Sequence, residues 1–256
     1  MKIIVYTANI GNYDVPETPA FIKQNPSVEF VYFTTDTTYR SNDWTVRFVD
    51  NMPHAHIEPQ RTARYFKLQP HKVLPHHDVS IWFDCCLSLQ IQDYIDFIQK
   101  NLIDQGVDMV AYTHPRRKCL YKEGETCAEQ GLDNSIRIKR QMERYRKAKF
   151  PINMGLYDTG VMIRKNNQKI QHFNDIWFTE LTNGSKRDQL SHMYAIWKTG
   201  VTIKPFVEGM SKGKSPYLKK RKHNVKRKKP VTKANIMSVE QRILNKRIAY
   251  KMRQRR

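Results

Sequence analysis

Short apolar runs, each ending in a polar loop, recur through the body of this chain and limit what it can fold into. Ile3–Tyr6, Val28–Phe33, Val79–Phe83 and Val107–Tyr112 are the clearest. Unbroken runs of this length read as strands buried on both faces. Segments of helical period lie between them, and strands that alternate with helices build a mostly parallel sheet covered on both sides. The expected fold class is therefore α/β, a mostly parallel Rossmann-like sheet with flanking helices. Ligands of such sheets bind beyond the carboxyl ends of the strands. That edge would hold the Asn9–Asp14 loop, Asp84 at the end of the Val79–Phe83 strand, and His114.

The remaining elements follow from the same periods. Trp44–Val49 is a further strand. From Glu58 to Leu74, Ala63, Phe66, Leu68 and Val73 share a helical period with a basic face of Arg61, Arg64 and Lys67. Pro70 kinks or divides that helix. Asp93–Leu102, Asn167–Leu181 and Arg187–Thr199 read as helices, the second closed by Asn183-Gly184. Glu123–Lys149 is polar and helical in composition, as a partly exposed arm would be. Leu156–Arg164 reads as a loop and a strand, and Val201–Phe206 as the last strand.

Charge divides the chain. Lys and Arg number 45 against 24 Asp and Glu, yet residues 208–256 alone carry 18 basic and 2 acidic side chains. The organisation expected is an α/β domain over 1–207, a basic flexible linker over 208–237 and a basic amphipathic helix over 238–256. Ser238 and Gln241 have capping-box spacing, and Val239, Ile243, Leu244, Ile248 and Met252 form a broken apolar stripe. Hydrophobic residues at 39% exclude a chain that is disordered throughout. Four cysteines are too few for a disulfide scaffold in a chain this long. No apolar run reaches the roughly 18 to 20 residues of a membrane span. A reducing, cytoplasmic setting is expected, with peripheral membrane attachment open.

Four constellations have the residue types for chemistry. Asp84, at the end of a buried strand, suits a hard cation that bridges to a diphosphate, or it is a turn residue. Arg61, Arg64 and Lys67 either neutralise phosphates or form a solvated helix face. The His114–Glu123 stretch mixes His, Arg, Tyr and Glu in a polar loop. Asp188, beside Gln189 at the head of a helix, is a cap or a cleft-facing base. Asp158-Thr159-Gly160 reads as a turn that lines the same cleft or simply precedes a strand.

Taken in order, these segments carry a resemblance. TANIGNYD, RxARYFKLxPHKxLPxxDxSIWFD, HPxRxCxYxE, GLYDTGVMIR and SKRDQLSHxYxxWK span roughly residues 3 to 204. The series resembles the glycosyltransferase-like family of plant mucilage-related proteins and their bacterial and viral relatives, some of which carry the name alkaline ceramidase. The resemblance implies a nucleotide-diphospho-sugar transferase fold of the GT-A type. It implies Asn9, Gly11 and Asp14 in a nucleotide-binding loop, and Arg61, Arg64 and Lys67 facing the nucleotide or its diphosphate. Asp84 would be the leading carboxylate of a metal-binding motif, and Asp188 and Gln189 a cleft-facing catalytic pair. His114, Tyr121 and Glu123 match another block, with Arg116 beside them, and His114 and Arg116 are grouped with donor binding. Cys86 stands where the motif's second carboxylate would be. A soft thiol suits manganese or magnesium poorly, so the cationic side chains would partly replace the ion.

The function expected is sugar transfer from a nucleotide-diphospho-sugar to a glycan or lipid-linked acceptor. Two other classes stand beside it: a nucleic-acid-binding protein acting through its basic tail on an idle scaffold, and a carboxylate-dependent hydrolase. No G-x-S-x-G elbow supports an esterase or amidase. Residues 208–256 are drawn to polyanions, either an anionic membrane surface or nucleic acid.

Overall fold

The computed structural model describes residues 1–11, 14–17, 26–50, 59–206, 215–221 and 239–254. The chain opens with β1 (Ile3–Asn9), β2 (Val28–Thr34), β3 (Thr45–Phe48), α1 (Pro59–Leu68) and α2 (Pro70–Val73). Next come β4 (Val79–Phe83), β5 (Leu87–Leu89), α3 (Tyr94–Ile98) with a π-helical turn over Gln99–Ile103, and β6 (Met109–Thr113). Then follow α4 (Leu120–Glu129), α5 (Ser135–Lys147), β7 (Tyr157–Lys165), α6 (Gln168–Asn183) and α7 (Gln189–Thr199). The chain ends with β8 (Ile203–Pro205), β9 (Leu218–Lys220) and α8 (Val239–Arg253).

Seven strands form one sheet in the order β3-β2-β1-β4-β7-β6-β8. All are parallel except β7, which runs antiparallel to both β4 and β6. The expected α/β architecture is what forms. Side chains alternate across β1: Ile4 and Tyr6 enter one core with Phe66, Met142, Tyr145 and Trp177, whereas Ile3 and Val5 enter the other with Phe97, Ile98 and Phe206. Both faces are covered, so the strands carry few polar residues.

Helix boundaries follow local chemistry. Pro70 lacks an amide hydrogen and starts α2, so the basic helix is divided there. The Asp93, Asn134 and Asn167 side chains cap α3, α5 and α6. Gly200, at φ +65°, closes α7 in the left-handed conformation.

Three expectations change. The Glu123–Lys149 stretch is no exposed arm: α4 and α5 pack on the core, with Ile138, Met142 and Tyr145 fully buried. Lys122, Arg137, Arg140, Arg144 and Lys147 lie on the outer faces, whereas Glu123, Glu125 and Gln141 are buried, and composition does not register the buried stripe. Residues 215–221, inside the expected linker, include β9, which pairs antiparallel with β5, itself a strand not foreseen. Backbone pairing there needs few apolar side chains, so a basic stretch can supply it. The tail helix is not detached either, because α8 packs against α4 and α5. Ser238 and most of 208–237 lie outside the described residues.

Candidate active site

Because β7 is reversed, its first residues lie at the same edge as the carboxyl ends of β4 and β6. Phe83 pairs with Val161 and Tyr112 with Asp158. The Asp84 amide donates to Gly160 O at 2.8 Å, which fixes Asp84 just beyond the last β4 residue. Its Oδ1 accepts from Trp82 Nε1 at 3.1 Å and lies 3.5 Å from Lys67 Nζ. Burial pushes the neighbouring Cys85 thiol up to about 12, so it stays protonated.

The basic face of α1 is turned inward. Lys67 is 1% exposed, and its ammonium lies 2.5 Å from Asp188 Oδ2 and donates to Thr159 Oγ1. Thr159 in turn donates to Asp188 Oδ2 at 3.0 Å. Arg64 Nε sits 3.3 Å from Asp188 Oδ1, an ion pair without aligned hydrogen-bond geometry. The cap reading of Asp188 fails: it stands at the N-cap position of α7, but its side chain makes no capping hydrogen bond and enters this cluster instead. Burial alone would raise the Asp188 carboxyl; the Lys67 ammonium and the Arg64 guanidinium outweigh it and hold the group well below the usual carboxylate range. A carboxylate held this firmly is a weak base. In this arrangement Asp188 is the ion-pair partner of both Lys67 and Arg64.

Arg61 goes elsewhere. Its guanidinium donates to Leu181 O at 2.6 Å and Gly184 O at 3.2 Å, where the carbonyls at the end of α6 need donors. Of the three cations on α1, Arg64 keeps the most open surface, with 26% of its side chain exposed. Gln189 is also an anchor, donating to Tyr157 O and tying the head of α7 to the start of β7.

Two residues that sequence reasoning missed support the cluster from behind. Arg164, fully buried, donates to Lys67 O, Tyr6 Oη and Asn174 Oδ1 and so holds the end of α1. An arginine directly after the apolar run Val161–Ile163 was the available signal. His192, one turn beyond Asp188, packs between Trp177 and Phe173 with neither ring nitrogen bonded. Burial lowers it to about 3, against the pull of Asp188, so the ring is neutral.

The other candidates lie along the same edge. Asn9 Nδ2 donates to Asp14 O and closes the loop after β1, where Gly11 takes φ +85° and donates its amide to Thr35 Oγ1. His114 Nδ1 accepts from the amides of Arg116 and Arg117, and its Nε2 faces Glu123 at 3.7 Å. Glu123 is buried at the start of α4, where it also accepts from Arg117 Nε. These contacts fold the loop; Arg116 itself is exposed. A cavity of about 440 Å³ between α4 and α5, lined by Tyr121, Arg146, Phe150 and Ile152, shares no residue with the Asp84–Lys67–Asp188 cluster.

Fold and site together define an α/β domain with a charged cluster at the ends of its parallel strands. The chain belongs to the TOD1/MUCI70 glycosyltransferase-like domain family, whose model matches residues 1–212. It is 25% identical over 156 residues to the probable hexosyltransferase MUCI70 of Arabidopsis thaliana, covering 58% of this chain and 26% of that protein. It is 26% identical over 184 residues to the alkaline ceramidase TOD1 of the same plant, covering 68% of this chain and 37% of that protein. The chain thus spans well under half the length of these relatives. None of the described helices is long and apolar enough to cross a membrane.

Proposed function

We propose that this domain transfers a sugar from a nucleotide-diphospho-sugar to an acceptor hydroxyl, on a sheet of the GT-A type, with the donor's diphosphate at the Asp84–Arg64 edge. One observation carries the reading. Asp84, Arg64, Lys67 and Asp188 come from three separate segments, and they form one ion-paired cluster where the parallel strands end. That is the edge where α/β sheets bind ligands.

In this mechanism Arg64 meets the phosphate oxygens directly, since it is the most open of the α1 cations. Lys67 stays beneath it, paired with Asp84 and Asp188. Positive charge fixed before the reaction stabilises a departing diphosphate without reorganisation, commonly a large catalytic effect. Asn9, Gly11 and Asp14 would border the nucleotide, with His114 and Arg116 farther along the edge.

Asp84 fits a magnesium or manganese ion brought in with the donor. The contacts described for its carboxylate fall on Oδ1, its side chain is 35% exposed, and magnesium commonly uses one or two carboxylates plus substrate phosphates. The residues do not fit an ion held by protein alone, for no group of three His, Cys, Asp or Glu suited to a metal occurs among the described residues. When bound, such an ion would add charge neutralisation at the diphosphate.

A thermal-shift screen with UDP, GDP, ADP and CMP, each with and without manganese, tests the reading, because a ligand that binds the native state raises the Tm. One nucleotide should stabilise the wild type, manganese should strengthen that shift but give none alone, and Asp84→Ala should lose most of it. An Asp84→Ala protein that responds like wild type removes the anchor. Release of fatty acid from an N-acyl sphingoid base without any nucleotide would support amide hydrolysis, the activity named for one relative, in place of transfer.

A further inference from the structure

α8 has two apolar faces, and the body covers only one. Asn245, Ile248, Ala249 and Met252 are buried. Arg253 adds ion pairs to Glu129 at 2.7 Å and Glu125 at 3.6 Å, and Arg146 donates to Met252 O at 3.2 Å. These contacts fix the rotation of the helix. At about 3.6 residues per turn, the buried seam sets Ile243, Arg247 and Tyr250 on the opposite side, with Leu244, Lys246 and Lys251 flanking them. Ile243 is 46% exposed, Leu244 41% and Tyr250 59%. The stripe expected from sequence is therefore split, with Ile248 and Met252 used by the body and Ile243 and Leu244 left outside.

Charge and shape distinguish the possible occupants. A second copy docked through the same face in a two-fold dimer would set Arg247 and Lys251 against themselves. Nucleic acid engages the cations but gains nothing from Ile243 and Leu244, whose side chains neither hydrogen-bond nor stack on bases. An anionic bilayer uses both features, since apolar side chains enter the headgroup boundary while Lys and Arg meet the lipid charge. The surrounding sequence agrees, with 18 basic and 2 acidic residues over 208–256.

We propose that the outer face of α8 docks the protein on an anionic lipid bilayer, with Ile243, Leu244 and Tyr250 entering the interface and Lys246, Arg247 and Lys251 facing the headgroups. The proposal does not depend on the sugar-transfer reading. The test is flotation of the full chain with phosphatidylcholine vesicles, with and without phosphatidylserine, beside anisotropy titration of a single-stranded RNA. The wild type should float only with the anionic vesicles and be released by added salt. The triple variant Lys246→Glu, Arg247→Glu, Lys251→Glu should bind at least about a hundredfold more weakly, since losing three cations implies that factor and reversing their charge adds repulsion. The triple variant Ile243→Ser, Leu244→Ser, Tyr250→Ser should lose vesicle binding and keep whatever RNA binding the wild type shows. Both should melt with the wild type, which separates lost docking from lost folding. No flotation of the wild type, or undiminished flotation of the serine variant, overturns the proposal. So does RNA binding that is tighter than vesicle binding and is abolished by the same serine substitutions.

Discussion

The chain has two basic helix faces that look alike in sequence and meet opposite fates. On α1, Arg61, Arg64 and Lys67 recur at helical spacing; on α8, Arg247 and Lys251 do the same. The α1 face is turned into the protein, where Lys67 and Arg64 meet Asp188, and Arg61 meets the open carbonyls ending α6. The α8 face points outward, because Ile248, Ala249 and Met252 occupy the packing seam. A cation is buried where a carboxylate or a set of unpaired carbonyls waits for it, and otherwise it stays in water. Net charge on a helix therefore does not say which way that charge faces; partners distant in sequence do.

The largest effect that separates the faces is expected at Lys67. Lys67→Met leaves Asp188 ionised and buried without its nearest partner, which should cost about 3–5 kcal/mol. For a chain of this size that is a fall in Tm on the order of 10 °C, measurable by thermal denaturation at neutral pH. The sign with pH is defined. Asp188 is held below its ordinary value, so its stabilising contribution is full above the unfolded carboxylate pKa of about 4 and is lost as pH falls towards the lower folded value. Without Lys67, Asp188 takes up a proton more readily, so the penalty of Lys67→Met should shrink as pH falls from 7 to 4. A penalty that stays constant over that range would mean that the ion pair is not what Lys67 contributes.

Arg61 should give an intermediate effect. Arg61→Ala removes charged donors from the last carbonyls of α6, at about 1.5–3 kcal/mol. Denaturant unfolding measures the loss, and nucleotide-dependent stabilisation should survive it. If that stabilisation vanishes while Arg64→Ala leaves it intact, the assignment of the two arginines is reversed. The smallest effect belongs to α8, where Lys246→Glu, Arg247→Glu and Lys251→Glu together should shift stability by under about 0.5 kcal/mol each. A large loss in that variant would show that the outer face is packed against something.

The sheet was legible because burial on both faces writes itself locally. Ile3–Tyr6 and Val79–Phe83 have few polar atoms to spare, and Pro70 and Gly200 end helices for reasons contained in their own chemistry. Part of the site was legible for the same reason, since a carboxylate following a buried strand, such as Asp84, is placed at the sheet edge by its strand. The α4–α5 pair was misread because its buried residues are spaced among many charges, and β5 and β9 because three-residue strands leave almost no periodic signal. His192 and Arg164 were missed because a polar residue in an apolar element has no local mark to show whether it is bonded, orphaned or exposed.

The sequence by itself determined the alternation of buried strands with helices, the family blocks along residues 3 to 204 and the concentration of charge after residue 207. Only the tertiary structure decided that Lys67 lies between Asp84 and Asp188, that Asp188 pairs with both Lys67 and Arg64, and that α8 buries Ile248 while leaving Ile243 outside. Helical and strand periods state which residues share a face. What that face meets is set by burial and by charge pairing between segments far apart in the chain, and these exist only once the sheet has brought the segments together.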